Sequence, residues 1–138
     1  MELERLQKQI LLLEKTNKTL IEAMSKDNYS TLEQDWAIQR FDYTIELTWK
    51  TLKKVLEYEW QVSNLFPKEI FKECFKADLI DDLDIWFDLL DQRNTLSHFY
   101  SEYISNRSFE FIKSHYSVIT FLVEKLKDKY VLEKDKIL

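Results

Sequence analysis

The absence of glycine constrains the fold of this chain more than any other feature of its sequence. None of the 138 residues is glycine, and Pro67 is the one proline. Tight β-hairpin turns and phosphate-cradling loops depend on residues with positive φ, which glycine adopts without steric cost. β-sandwiches, Rossmann units and P-loops are therefore disfavoured, and the sequence predicts an all-α protein.

Length and composition predict one folded domain. We expect residues 1–138 to form a single domain with its core in residues 2–129 and a frayed, charged tail from residue 133. A hydrophobic content of 45% with 14% aromatic residues is too high for a disordered chain.

The sequence also predicts a cytoplasmic protein. No apolar run approaches the roughly 20 residues that span a bilayer, so no membrane association is expected. The start of the chain lacks the basic and apolar regions of a signal peptide. Cys74 is the one cysteine and cannot form an internal disulfide, which suits a reducing compartment. We expect it to be buried in the core.

Helical periodicity divides the chain into five segments. Apolar residues recur every three to four positions over residues 2–24, and Ser30 with Glu33 forms a capping box before a second helix over 31–60. Pro67 suits the first turn of a short third helix ending near residue 77. A fourth helix carries residues 84–100. The polar stretch 101–106 is expected to end it, and a fifth helix covers 108–129. The predicted architecture is an up-down four-helix bundle with one extra short helix.

The second predicted helix is apolar on more than half of its circumference. Trp36, Tyr43, Trp49 and Trp60 widen its hydrophobic surface beyond one stripe. Such a helix needs neighbours on two sides. It is either the centre of the bundle or a bundle helix that also meets a second subunit, and the number of large aromatic residues in a small domain favours a homodimer.

The fourth predicted helix contains the densest group of reactive side chains. Residues 93–100 read Arg-Asn-Thr-Leu-Ser-His-Phe-Tyr. At about 100° per residue, an apolar stripe would be formed by Ile85, Leu89, Leu96, Phe99 and Tyr103. Arg93 would lie at its edge with Tyr100, while Asn94 and His98 would share a face turned away from it. This geometry predicts that the polar side chains point outward or toward a partner.

The string Arg-Asn-x-x-x-His-x-Tyr resembles the R-x4-6-H signature of HEPN domains, with the tyrosine of the HepT-like branch. Residues 38–53 and 67–75 are similar to the other two sequence blocks of one HEPN subgroup, the nucleotidyltransferase substrate-binding proteins. The three blocks occur in the order typical of that subgroup and span residues 36–100.

The resemblance implies roles for particular residues. Arg93, His98 and Asn94 match the catalytic motif, and Glu46 with Lys50 matches an E-x3-K pair near the active cleft of HEPN domains, where they would help Arg93 bind a nucleotide phosphate. An ordinary surface ion pair between residues four apart explains Glu46 and Lys50 equally well. Tyr100 matches the tyrosine that receives AMP from the partner transferase in HepT-like relatives.

The resemblance implies two functions, and a scaffold without chemistry is a third alternative beside them. In the first, the chain is the HEPN subunit of a bacterial two-component, toxin–antitoxin-like system. It would form a homodimer, bind an MNT-type nucleotidyltransferase, and hold a nucleotide or RNA phosphate in the dimer cleft. In the second, it is a metal-independent endoribonuclease toxin in which the dimer brings two copies of Arg93 and His98 into one groove. In the third, it is a non-catalytic scaffold.

The net charge and the metal-binding motifs restrict which ligands the chain is expected to bind. A net charge of −5 argues against extended nucleic-acid binding, so we expect no DNA partner and only a local RNA contact. No H-E-x-x-H or C-x-x-C motif is present, and we expect neither a metal nor a cofactor. The aspartates between residues 81 and 91 have the spacing of a solvated helix face. His115 is interpreted as a core or interface histidine bonded to a carbonyl.

Overall fold

The structure, a computed structural model, describes residues 2–98 and 101–131, except for the side chains of Ser97 and His98. This part of the chain contains six helices and no strand. The helices are α1 (Glu2–Met24), α2 (Thr31–Trp60), α3 (Pro67–Lys76), α4 (Leu83–His98), α5 (Glu102–His115) and α6 (Ser117–Tyr130). The tail from residue 132 lies outside the described residues.

Helix α2 is the centre of the bundle. It packs against α1, α3, α4 and α5, while α6 packs against the other side of α1. Its inward positions are completely buried, as the heptad-like spacing predicts: Ala37, Phe41, Ile45, Thr48, Leu52 and Val55. The central position of α2 explains why so much of its circumference is apolar.

The all-α prediction is confirmed, and α5 with α6 supplies the fourth main segment of the bundle. Only Tyr116 separates these two helices. With α1, α2 and α4 they make four long helical segments, and α3 is the short additional helix. No helix in the described ranges is both long and apolar enough to cross a membrane.

Local signals in the sequence explain where α2 and α3 begin. The predicted capping box is present, because the backbone N–H of Glu33 donates to Ser30 Oγ at 3.1 Å and the backbone N–H of Ser30 donates to Glu33 Oε1 at 2.9 Å. Pro67 occupies the first turn of α3. At the start of α2, side chains accept backbone N–H groups that would otherwise be unpaired. At the start of α3, proline has no N–H that needs a partner.

Packing behind α3 confirms the prediction for Cys74. Its side chain is fully buried, and burial raises the pKa of the thiol to about 12. Nearby, Phe71 of α3 stacks on Trp86 of α4 with ring centroids 5.3 Å apart. Cys74 is core filler, and its thiol stays protonated at neutral pH.

The predicted boundaries of the last long helix are wrong. Ser101 begins α5 instead of belonging to a connecting loop, because its Oγ accepts the backbone N–H of Ile104 at 3.1 Å. Ser108, the first residue of the predicted fifth helix, is buried inside α5, where its hydroxyl donates to Gln92 Oε1 at 2.7 Å. Polar composition pointed to a loop here, whereas one capping hydrogen bond and one interhelical hydrogen bond keep the segment helical.

Left-handed backbone conformations occur even without glycine. Gln61, Asn64 and Asp78 have φ values of 55°, 63° and 61°. Gln61 ends α2, where an αL residue closes the last turn. The missing glycines therefore do not prevent helix C-caps; the chain accepts the steric cost of αL at a few non-glycine positions.

Candidate functional site

Arg93 faces the bundle instead of lying at the edge of an apolar stripe. The buried residues of α4 are Trp86, Leu89 and Leu90, and Arg93 follows Leu89 and Leu90 by about one helical turn. Its side chain is 30% exposed and reaches across to α2. The predicted stripe is wrong in one further respect, because Tyr103 belongs to α5 and is 67% exposed.

Arg93 joins a group of charged residues that we call the α2–α4 charge cluster: Asp42, Glu46, Lys50 and Arg93. The three α2 residues stand four positions apart and therefore lie on successive turns of one helix face. Arg93 Nη2 is 3.7 Å from Glu46 Oε1, and the same oxygen is 3.6 Å from Lys50 Nζ. The structure thus brings together the three residues that the resemblance assigns to phosphate binding.

Asp42 is the residue of the charge cluster that the sequence did not single out. Its Oδ1 is buried and has no hydrogen-bond partner in the part of the chain that the structure describes. Burial raises the pKa of Asp42 from its ordinary 3.8 to about 6, with Arg93 lowering it and Glu46 raising it. Its spacing of four from Glu46 was the available signal, but its burial depends on how α4 crosses α2.

The rest of the motif surrounds the end of α4. Asn94 is exposed, and His98 is the last residue of the helix. The side chain of His98, and the whole of Phe99 and Tyr100, lie outside the described residues. The catalytic role of His98 and the modification of Tyr100 therefore stay predictions. The motif occupies the junction between α4 and α5, not the middle of a continuous helix.

Large apolar side chains remain exposed on the outer face of α2. We call Leu32, Trp36 and Tyr43 the α2 outer stripe; they lie on one side of the helix and are 79%, 43% and 46% exposed. The stripe borders the charge cluster, since Tyr43 and Glu46 are three positions apart and therefore neighbours on the surface of α2. Exposed apolar area of this kind marks an interaction surface more often than a solvated face.

A cavity of about 240 Å³ lies on the other side of α4, between α4 and α5. We call it the α4–α5 cavity. Its walls include Gln92 and Thr95 of α4, Tyr103 and Arg107 of α5, and the deeper side chains Ile104, Ser108 and Phe111. The guanidinium carbon of Arg107 lies 5.6 Å from the centroid of the Tyr103 ring, and its Nη1 donates to the Tyr103 hydroxyl at 3.1 Å.

His115 contacts Phe111, which lines the α4–α5 cavity, and the predicted bond to a carbonyl is confirmed. Its Nδ1 is 2.9 Å from the carbonyl oxygen of Phe111, and the two rings stack with centroids 4.3 Å apart. Within the described residues, no three His, Cys, Asp or Glu side chains are grouped to hold a metal ion. The chemistry available around Arg93 is that of cations, carboxylates and amides.

Comparisons with known proteins identify the family of the chain. The model of the family described as "Nucleotidyltransferase substrate binding protein like" matches residues 1–128. A Haemophilus influenzae protein named "Probable ribonuclease HepT" is 28% identical in an alignment of 97 residues that covers 67% of this chain and 66% of that protein, just under two thirds of its length.

A solved structure is similar to the whole bundle. The crystal structure of a Thermus thermophilus protein superposes with a TM-score of 0.73 at 26% sequence identity, over 86% of this chain and 98% of the other. The family match over most of the chain, the R-x4-6-H motif at the end of α4 and the helical fold lead to one assignment. The chain belongs to the nucleotidyltransferase substrate-binding subgroup of HEPN-related proteins.

Proposed function

We propose that the chain is the HEPN-type subunit of a two-component nucleotidyltransferase system and binds an RNA or nucleotide phosphate in a cleft between two copies of itself. The observation that carries this proposal is the position of Arg93, whose side chain is 30% exposed and reaches the same Glu46 oxygen as Lys50. A phosphate there would meet two cations from neighbouring helices.

Arg93 is suited to exchange a protein contact for a ligand. Its 3.7 Å separation from Glu46 is longer than a charge-assisted hydrogen bond, so this carboxylate attracts the guanidinium without fixing it in a bidentate pair. A guanidinium carries five N–H donors in a planar fork that fits phosphate oxygens. Glu46 would hold the side chain near its working position until phosphate binds.

A second copy would complete the site. One chain supplies one motif arginine and one motif histidine, whereas cleavage or clamping of a phosphodiester uses several donors. The α2 outer stripe is exposed directly beside the charge cluster, and a two-fold axis through it would place two clusters in one groove. We therefore assign a second copy of this chain as the partner that covers the stripe.

Two tryptophans of α2 test the dimer. Trp36 in the stripe is 43% exposed and Trp60 at the far end of the helix is 44% exposed. Trp36→Glu should convert the dimer to a monomer in light scattering after size exclusion, because it buries a charge in the interface. Trp60→Glu, matched in exposure and chemistry, should remain dimeric. A wild-type monomer, or equal effects of both changes, would contradict this interface.

Tyr100 tests the partner and its chemistry together. The chain is incubated with its MNT-type nucleotidyltransferase partner and ATP, and the masses of its peptides are measured by mass spectrometry. Attack of the Tyr100 oxygen on the α-phosphate would form a tyrosyl–AMP bond and release pyrophosphate. Wild-type protein should gain the mass of AMP, and Tyr100→Phe should not. A stable complex without a gain in mass would support the transferase as the partner but contradict the transfer of AMP to Tyr100.

Endoribonuclease activity is the second candidate, and the name of the Haemophilus relative favours it. In metal-free cleavage a base takes the proton of the 2′-hydroxyl, the 2′-oxygen bonds to phosphorus, and the bond to the 5′-oxygen breaks as an acid protonates that oxygen. His98 from each copy would act as base or acid, with Arg93 stabilising the phosphate charge and Asn94 supporting it.

RNA incubated with the protein in EDTA separates these candidates. Cleavage that is lost in both His98→Ala and Arg93→Ala supports the ribonuclease. No cleavage, together with RNA binding that Arg93→Ala weakens, supports the phosphate-binding subunit. Unchanged partner function in the double variant Arg93→Ala and His98→Ala would leave a scaffold without chemistry.

A further inference from the structure

The α4–α5 cavity lies next to the motif but takes no part in the phosphate site. Thr95, which lines it, is two positions from Arg93 and therefore projects about 200° around the α4 axis from it. Arg93 faces α2, while Gln92 and Thr95 face α5. The two sites flank the C-terminal end of α4, separated by the width of one helix, about 10–12 Å with side chains.

The walls of the cavity combine three kinds of group that bind nucleobases. Tyr103 offers an aromatic ring that is 67% exposed, so much of its surface is available for stacking. Arg107 approaches this ring and adds a positive charge. Gln92 and Thr95, on the opposite wall, carry polar atoms of the kind that pair with base edges.

The Tyr103 ring is already prepared for this role by its neighbour. The hydrogen bond from Arg107 to the Tyr103 hydroxyl holds a ring that otherwise extends into solvent. An aromatic side chain fixed in this way loses little conformational freedom when a base stacks on it. A volume of about 240 Å³ also provides space for a planar ring system beside the tyrosine.

We infer that the α4–α5 cavity is a base-binding subsite, in which an unpaired RNA base stacks on Tyr103 while a phosphate of the same strand lies at Arg93. The inference rests on the proposed function and names its substrate as single-stranded RNA. A strand would cross α4 near its C-terminal end, between the two contacts. Double-stranded RNA does not present a free base face to Tyr103 and is excluded as the preferred ligand.

The test uses two short single-stranded probes made of 2′-O-methyl RNA, which lacks the attacking hydroxyl and is not cleaved. One probe carries a mixed sequence of bases; the other has the same backbone with abasic residues. Tyr103→Ala should weaken binding of the first about 5- to 150-fold, the ratio that corresponds to one stacking contact. It should change binding of the abasic probe less than about twofold, since the phosphate contact at Arg93 is intact.

Two further variants act as controls. Tyr103→Phe keeps the ring and should restore most of the affinity that Tyr103→Ala loses. Phe121→Ala removes an aromatic side chain of α6 that is 73% exposed, and it should leave both probes unaffected. Equal weakening of both probes by Tyr103→Ala, or no weakening, would overturn the base subsite. So would conversion to a monomer, because Tyr103 would then belong to a subunit interface.

Failure of the proposed function has a different signature. Arg93→Ala should weaken both probes, because it removes the cation that meets the phosphate. If the wild type binds neither probe, or if Arg93→Ala has no effect, the phosphate site and the base subsite fall together. If Arg93→Ala weakens both probes but Tyr103→Ala weakens neither, only the base subsite is wrong.

Discussion

Two carboxylates of α2, nine residues apart, have opposite environments. Glu33, at the solvent-exposed start of the helix, accepts the backbone N–H of Ser30 and lies 2.7 Å from Lys26 Nζ, and these contacts lower its pKa to about 2. Asp42, in the α2–α4 charge cluster, has a buried oxygen without a hydrogen bond in the described part of the chain, and its pKa is raised to about 6. The first carboxylate stabilises the fold, whereas the second costs stability.

This contrast separates a structural region from a functional one. A charge that destabilises the folded state is retained where it serves something other than folding, and such groups concentrate at functional sites. At the start of α2, the capping box, the ion pair with Lys26 and the helix dipole all stabilise the negative charge of Glu33. In the charge cluster, the buried Oδ1 of Asp42 lacks a hydrogen bond among the described residues, as expected of a site that receives a ligand or a second copy.

The largest expected difference between the two regions is in RNA binding. Arg93→Ala should reduce affinity for single-stranded RNA by about 10- to 150-fold, a loss typical of a charge-assisted contact worth about 1.5–3 kcal/mol. Lys26→Ala removes the cation of the other region and should change affinity less than about twofold. Fluorescence anisotropy at constant ionic strength measures both, and similar losses would mean that only the overall charge matters.

A second difference concerns stability as a function of pH. Folded Asp42 keeps its proton up to about pH 6, whereas the unfolded chain releases it near pH 4, so its contribution makes the free energy of unfolding fall as pH rises through this interval. Glu33 acts in the opposite sense, since its folded pKa is depressed. Its stabilisation is present above about pH 4.5 and is lost as pH falls toward 2.

Asp42→Asn should therefore raise the free energy of unfolding at pH 7 by about 1–2 kcal/mol, from about 1.4 kcal/mol for each pKa unit and a reduction for partial solvent contact. Urea denaturation at pH 4, 5, 6 and 7 measures the gain. Asp88→Asn, an exposed change of the same type on α4, should have no such effect. A loss of stability in Asp42→Asn at pH 7 would make Asp42 an ordinary structural residue.

The smallest effect concerns the start of α2. Ser30→Ala removes the hydroxyl that accepts the Glu33 backbone N–H and should lower the free energy of unfolding by about 1 kcal/mol. The loss should be the same at pH 5 and pH 7, because Ser30 does not titrate, and RNA binding should not change. If Ser30→Ala altered RNA affinity as Arg93→Ala does, the two regions would be coupled and the contrast between them would weaken.

Features formed by residues close together in the sequence could be predicted, whereas features that depend on tertiary packing could not. The capping box at Ser30, the Pro67 start of α3 and the buried face of α2 could be predicted because they depend on residues within a few positions of one another. The start of α5 was missed, since the polar residues after Ser101 resemble a loop and only one capping hydrogen bond decides for helix.

The candidate site shows the same limit. The resemblance selected Arg93, Glu46 and Lys50, and the structure brings these side chains together. It did not distinguish Asp42 from a solvated aspartate, because the burial of Asp42 arises only when α4 packs across α2. Tyr103 and Arg107 were also missed, since their relation to Gln92 and Thr95 depends on the turn between α4 and α5.

The contacts of α2 with four other helices have a consequence for how the protein opens. Because the middle of α2 cannot separate from one neighbour without exposing the others, its amides should exchange with solvent hydrogen only when the entire domain unfolds. The carboxylates of the charge cluster therefore lie on the helix whose amides should exchange most slowly. Helix α4 packs against α2, α3 and α5 and should exchange through smaller openings than α2, so ligand entry would move α4 against a fixed α2.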